Sequence, residues 1–152
     1  MDLERLAAAL GVTEVVGRAP VEIRDLAYDA RTVTPGAVFF CVPGGQADGH
    51  AFAAEAVERG AVALVVERPL ELDAPQVVVP DARAAMAVAA DEFFERPTEE
   101  LQVVGVTGTS GKTTTTFLVR AGLRAAGLSS GLIGTVSTMI GDEAVSTGFT
   151  TP

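Results

Sequence analysis

The sequence predicts an α/β fold in two parts: a domain over residues 1–96, a linker over 97–100, and from 101 to 152 the opening strand, glycine-rich loop, helix and next strand of a second, parallel-sheet domain. Three observations carry this reading. Short apolar runs of strand length alternate with stretches of helical spacing through the first hundred or so residues, the rhythm of a layered sheet. Arg96-Pro97-Thr98-Glu99-Glu100 is polar and broken by proline, so it interrupts that rhythm as a linker does. Beyond it an apolar run leads directly into a loop rich in glycine and threonine that opens a helix and holds Lys112, the only lysine in the chain.

Each element follows from local pattern. Leu3, Leu6, Ala7 and Leu10 recur at helical spacing, and Gly11 ends that helix. Val21 and Ile23 alternate toward Leu26 as a strand. Residues 37–42, 62–66 and 76–79 are compact apolar runs of strand length. A helix fits residues 52–59, ended by Gly60, and another fits 81–95, where Asp81 can cap the first turn. Farther on come a strand over 101–106, a helix over 112–126 stopped by Gly127, and a strand over 132–136. Asp142 and Glu143 lie beside Gly141 and read as a turn. No internal repeat or low-complexity tract is present.

Composition excludes several classes. The 152 residues are 48% hydrophobic with a formal charge of −9, enough core for one ordinary domain and part of a second. Such acidity argues against nucleic acid or an anionic membrane as a partner, because phosphate backbones require clustered Lys and Arg. No run of 18 apolar residues occurs, and Met1-Asp2-Leu3-Glu4 lacks the basic and apolar parts of a signal peptide, so a cytoplasmic location is expected. The single cysteine, Cys41, lies in the apolar run 37–42 and reads as a packed small hydrophobe.

The segment Val104-Gly105-Val106-Thr107-Gly108-Thr109-Ser110-Gly111-Lys112-Thr113-Thr114 has the layout of a phosphate-binding loop. Gly108 and Gly111 let the backbone turn and approach a ligand, so that the N–H groups of Gly108, Thr109, Ser110, Gly111, Lys112, Thr113 and Thr114 can face an anion. The helix that starts near Lys112 adds its unpaired N–H groups. Lys112 can reach the β- and γ-phosphates, and Thr113 can place a hydroxyl on Mg²⁺. The other ten basic residues are all arginine, so lysine is used only where a compact ammonium on a flexible stem is wanted. The usual spacing puts the first glycine at 106, where this chain has Val106, with Gly105 one position early. Only 39 residues follow Thr113, too few for a sheet of several parallel strands, so the nucleotide domain is expected to be incomplete.

A second stretch, Pro43-Gly44-Gly45-Gln46-Ala47-Asp48-Gly49-His50, follows an apolar strand. Loops at strand ends hold ligands in α/β domains, and Gln46 offers both a donor and an acceptor. By composition alone it is equally an ordinary loop, with His50 capping the next helix.

Taken together, these segments resemble the Mur ligase family, and within it the branch that adds the third residue of the peptidoglycan precursor. The resemblance covers almost the whole chain. Tyr28-Asp29-Ala30-Arg31 with Pro35-Gly36-Ala37-Val38-Phe39-Phe40 is similar to the family's Asp-Ser-Arg and Pro-Gly-x-(Leu/Val)-Phe segment, and Gly45-Gln46-Ala47-Asp48-Gly49 resembles its uridine-contacting loop. The family's version of the phosphate loop accounts for the offset glycine. Gly131-Leu132-Ile133-Gly134-Thr135 and Thr150-Thr151-Pro152 also fit. Three positions depart from the pattern: Ala30 stands for serine, Ser110 for asparagine and Phe149 for an asparagine found in some relatives.

The resemblance implies an N-terminal domain that binds a UDP-substrate through Tyr28, Ala30, Gly45, Gln46 and Ala47, with Thr150 and Thr151 touching the sugar peptide. It implies the start of an ATPase domain using ATP and Mg²⁺, with Lys112 as the catalytic cation. The full-length enzyme would join a diamino acid to UDP-N-acetylmuramoyl-L-Ala-D-Glu through an acyl phosphate, and this chain alone would be inactive. Other Mur ligases and folylpolyglutamate synthetase share the Gly-Thr-x-Gly-Lys-Thr loop. A nucleotide switch usually carries the loop near its start, and a UDP-sugar binding module without catalysis needs only the first domain.

Overall fold

The computed structural model describes residues 1–12, 15–17, 20–45 and 47–145. It divides into two units, Met1–Leu101 and Gln102–Pro152.

The first unit is a five-stranded sheet with helices on both faces. Its strands are β1 (Val15–Val16), β2 (Asp25–Ala27), β3 (Ala37–Phe40), β4 (Ala63–Val66) and β5 (Gln76–Val78), in the spatial order β1-β5-β4-β3-β2. The pairs from β2 to β5 are parallel and β1 joins β5 antiparallel. Strands β3 and β4 are buried along their full length, as expected where both faces of a parallel sheet are covered. Alternation divides their side chains between two cores. Val38, Phe40, Ala63, Val65, Val77 and Val79 meet Leu3 and Leu6 of α1 (Leu3–Ala9) and Ala82, Ala85 and Ala89 of α3 (Ala82–Phe93). Ala37, Phe39, Cys41, Leu64 and Val66 meet Ala53 and Ala56 of α2 (Ala53–Glu58) on the other side. Alanine on the inner faces of α2 and α3 keeps both helices close to the sheet.

The caps follow the sequence. Asp2 accepts from Arg5 N at 2.7 Å at the start of α1, and Asp81 accepts from Ala84 N at 2.9 Å at the start of α3. Residues Gly49–Phe52 form a 3-10 turn before α2, so the helix expected from 52 begins one residue later. The expected strand around Val21 and Ile23 is shifted to Asp25–Ala27; Ile23 is buried and pairs with Met1 through Ile23 N→Met1 O at 2.7 Å. Gln76 is buried at the start of β5, and its amide accepts from Leu70 N and donates to Leu70 O, each at 2.8 Å.

The second unit consists of α4 (Lys112–Ala125) and an antiparallel meander of β6 (Gly131–Ile133), β7 (Thr138–Ile140) and β8 (Glu143–Val145). Two expectations are corrected. Residues 101–106 form no strand among the described residues, because a strand exists only through ladder bonds and nothing described pairs with it. The strand expected over 132–136 is β6, and it pairs antiparallel with β7 across a tight turn closed by Gly134 N→Ser137 O at 3.1 Å. A partner a few residues away costs little closure entropy, so the hairpin forms where a distant parallel neighbour does not. The turn expected at Gly141, Asp142 and Glu143 is made by Gly141-Asp142 and joins β7 to β8, while Glu143 already belongs to β8; Arg120, buried on α4, donates to the Gly141 carbonyl, and Arg124 pairs with Asp142.

Candidate functional site

The glycine-rich loop enters α4 through Gly111, whose φ of +78° is left-handed and natural only to glycine. No side chain caps the helix, so the first-turn N–H groups of Lys112, Thr113 and Thr114 face outward without a side-chain partner. A Cβ on Gly111 would meet nothing within 4 Å, which leaves open space beside those amides. Thr109, Ser110, Gly111, Lys112, Thr113 and Thr114 are all exposed. The Lys112 ammonium folds back onto the Gly108 carbonyl, at the other end of the loop. It therefore spans the mouth of the loop, in reach of whatever the amides hold.

These groups fit phosphate: uncapped amides, the positive end of a fourteen-residue helix and a lysine on a flexible stem. They fit a protein-held metal less well, since the described residues contain no group of three His, Cys, Asp or Glu side chains that could hold one. A divalent ion here would be held by phosphate oxygens together with the exposed hydroxyl of Thr113.

In the first unit the parallel strands set a second candidate site at their carboxyl edge, where doubly wound sheets hold ligands. Tyr28 directly follows β2 and is 41% exposed, whereas Ala30 is buried in a 3-10 turn capped by Asp29. Ala30 therefore offers backbone rather than side chain. The neighbouring strand β3 runs into the loop of Gly45 and Ala47, both exposed. Gln46, Thr150 and Thr151 lie outside the described residues. Within the loop, Gly44 N→Ala47 O at 2.9 Å and Gly49 N→Val42 O at 3.1 Å close a narrow turn. A Cβ at Gly49 would fall 2.6 Å from Val42 N and 2.7 Å from Val42 O, while one at Gly45 would meet nothing within 4 Å. Gly49 is required by the fold; Gly45 is not.

Asp48 organises this loop. Its Oδ1 accepts from His50 N at 3.0 Å and lies 2.6 Å from His50 Nδ1, and its Oδ2 accepts from Arg68 at 2.7 Å. The Arg68 guanidinium, followed by the two His50 contacts, holds the Asp48 carboxyl well below the usual carboxylate range. His50 is buried and its Nε2 accepts from Glu67 N at 3.0 Å, so the ring proton sits on Nδ1 and is directed at Asp48. The cap expected of His50 is thus supplied by Asp48, and His50 ties the loop to the end of β4. An aspartate two residues before a histidine, the spacing of an Asx turn, was the available signal. Burial pushes the Cys41 thiol up to about 12, in keeping with a packing role. No described helix is long and apolar enough to cross a membrane.

Comparison with known proteins gives a consistent result. Residues 22–118 match the model of the Mur ligase family catalytic domain. The UDP-N-acetylmuramoyl-L-alanyl-D-glutamate–2,6-diaminopimelate ligase of Geobacillus thermodenitrificans is 56% identical over 131 residues, 86% of this chain and 27% of that protein. A crystal structure of MurF from Acinetobacter baumannii is 28% identical with a TM-score of 0.66 and covers 88% of this chain and 30% of its own. MurF of Thermotoga maritima, solved in complex with ADP, is 34% identical with a TM-score of 0.53 over 67% of this chain and 23% of its own. The chain therefore spans less than a third of the length of these relatives.

Proposed function

Since the chain belongs to the Mur ligase family, we propose that it is the front part of an ATP-dependent ligase that joins 2,6-diaminopimelate to UDP-N-acetylmuramoyl-L-Ala-D-Glu. The observation that carries the reading is the uncapped, glycine-led start of α4 with Lys112 folded over it, in a chain 56% identical to a ligase so named.

Residues 1–96 bind the UDP-substrate, through Tyr28, the backbone at Ala30 and the loop of Gly45, Gln46 and Ala47; residues 97–100 link them to the ATP-binding part, 101–152. Thr150 and Thr151 contact the sugar peptide. ATP supplies the phosphoryl group that activates the D-Glu γ-carboxylate, and the amine of the diamino acid displaces it as phosphate. The chain's own residues hold and neutralise. The amides from Gly108 to Thr114 bind phosphate oxygens, Lys112 exchanges the Gly108 carbonyl for a phosphate oxygen, and Thr113 offers its hydroxyl to Mg²⁺. The ADP seen with the Thermotoga maritima relative supports the nucleotide assignment. The large apolar side chains exposed on the second unit, Val103, Val104 and Leu118 among them, support a nucleotide domain whose core is completed by more sequence than these residues supply, as in the longer relatives.

A chimera of residues 1–152 with the remaining portion of the Geobacillus relative tests this. It should release phosphate from ATP only when both the UDP-dipeptide and diaminopimelate are present. Release that ignores the UDP-dipeptide, or that follows GTP in preference to ATP, would refute the reading.

A further inference from the structure

Eight of the nine described arginines have a carboxylate partner: Arg5 with Glu92, Arg24 with Glu22, Arg31 with Asp29, Arg59 with Glu55, Arg68 with Asp48, Arg96 with Glu92, and Arg120 and Arg124 with Asp142. Arg83 has none among the described residues, although acidic residues outnumber basic ones 20 to 11 in the chain. The acids beside it are turned elsewhere. Asp81 Oδ1 accepts from Ala84 N and Glu67 Oε1 accepts from Ala82 N, each at 2.9 Å, so both serve the amides of α3.

The position is also electrostatically poor for a cation. Arg83 lies in the first turn of α3, two residues after its cap, where the helix dipole disfavours positive charge. An exposed arginine held there without a counter-charge contributes little to the fold. Its guanidinium lies 3.5 Å from the Pro43 carbonyl oxygen, at the outer limit of a hydrogen bond, which sets it at the foot of the Gly44–Ala47 turn. The arginines that follow β2 and β4 at this edge, Arg31 and Arg68, are already neutralised by Asp29 at 2.6 Å and by Asp48 at 2.7 Å.

The geometry points to Arg83 as the residue that grips the diphosphate of the UDP-substrate while the Gly45 loop holds its nucleoside end. This rests on the UDP-binding role given to that loop. A diphosphate presents several oxygens to a planar guanidinium, which can take two of them at once, and it supplies the anion that both the unpaired arginine and the helix dipole favour. Arg83 is thus a positioning residue: it fixes how far along the sheet edge the sugar peptide extends.

The test compares UDP with uridine as ligands of the 152-residue chain, followed by NMR titration, for the wild type, Arg83→Gln and Arg83→Lys. Arg83→Gln should weaken UDP about tenfold or more, the loss of one charge-assisted contact, while uridine binding and the melting temperature stay unchanged. Arg83→Lys should recover part of the UDP affinity. Equal UDP affinity in the wild type and Arg83→Gln would overturn the role of Arg83 and leave the UDP site standing. Parallel loss of UDP and uridine would show a structural role instead. Failure of the wild type to bind either ligand would overturn the UDP-site reading itself, and this inference with it.

Discussion

Replacing Gly49 by alanine should destabilise the first unit without any change in hydrophobicity or charge. The added Cβ would lie 2.6 Å from Val42 N, 2.7 Å from Val42 O and 2.9 Å from Cys41 C, all backbone atoms that cannot swing away. The backbone there is itself anchored, since Cys41 N donates to Val65 O at 2.9 Å. Relief therefore requires the loop to move outward and the Gly49 N→Val42 O bond to stretch. Overpacking of this kind costs about 1–3 kcal/mol and the lost bond about 0.5–1.5 kcal/mol. A sum of about 1.5–4.5 kcal/mol corresponds, for a unit near 100 residues, to a melting temperature lower by at least about 6 °C. Gly45→Ala is the matched control, because its Cβ would meet nothing within 4 Å. It should melt within about 2 °C of the wild type yet bind UDP more weakly, since the methyl group fills space that the ligand needs. Circular dichroism melts and UDP titrations of both variants check this. Equal stability of Gly49→Ala and the wild type would refute the close-packed turn, and undiminished UDP binding by Gly45→Ala would refute the ligand's approach there.

Lys112→Ala should leave the unfolding curve unchanged, because its ammonium is exposed and touches only the Gly108 carbonyl, and should cost roughly 1.5–3 kcal/mol in nucleotide affinity, read by calorimetry on the chimera. Asp48 governs an acid limb: its folded carboxyl is depressed, so its stabilising effect is present above the unfolded value near about pH 4 and declines as pH falls toward the folded one. The stability gap between the wild type and Asp48→Asn should hence be constant at neutral pH and narrow below about pH 4 in urea titrations; a gap that widened there would reverse the sign. Cys41 should resist thiol reagents until the chain is denatured, as monitored by absorbance of the released chromophore, because the thiol is buried and its ionisation is pushed up to about 12.

The elements that could be read from the sequence are those whose pattern is set by their own burial. The runs that became β3, β4 and β5 are apolar on both faces because helices cover both sides, and Asp81 announced α3 through the chemistry of its cap. Elements defined by a partner were harder. Val15–Val16 is a strand only because β5 accepts it at the sheet edge, and 101–106, apolar and next to a glycine loop, reads as a strand although no described neighbour pairs with it. Of the candidate site, the glycine-led start of α4 was legible, because Gly111 takes the left-handed turn that only glycine favours and the helix opens at Lys112. Arg83 was not: on sequence it is one arginine of ten, and only the pairing of eight others isolates it.

Gln76 settles a question that the valines beside it leave open. Val77, Val78 and Val79 would look alike to either face of the sheet, so sliding β5 by one residue along β4 would exchange one valine for another and cost little apolar contact. A slip would, however, carry the Gln76 amide away from both backbone groups of Leu70 and leave polar atoms buried without partners. The single polar side chain in this strand thus acts as the index mark of the sheet: misaligned pairings are rejected by an unmet hydrogen bond, where a purely aliphatic strand would tolerate them.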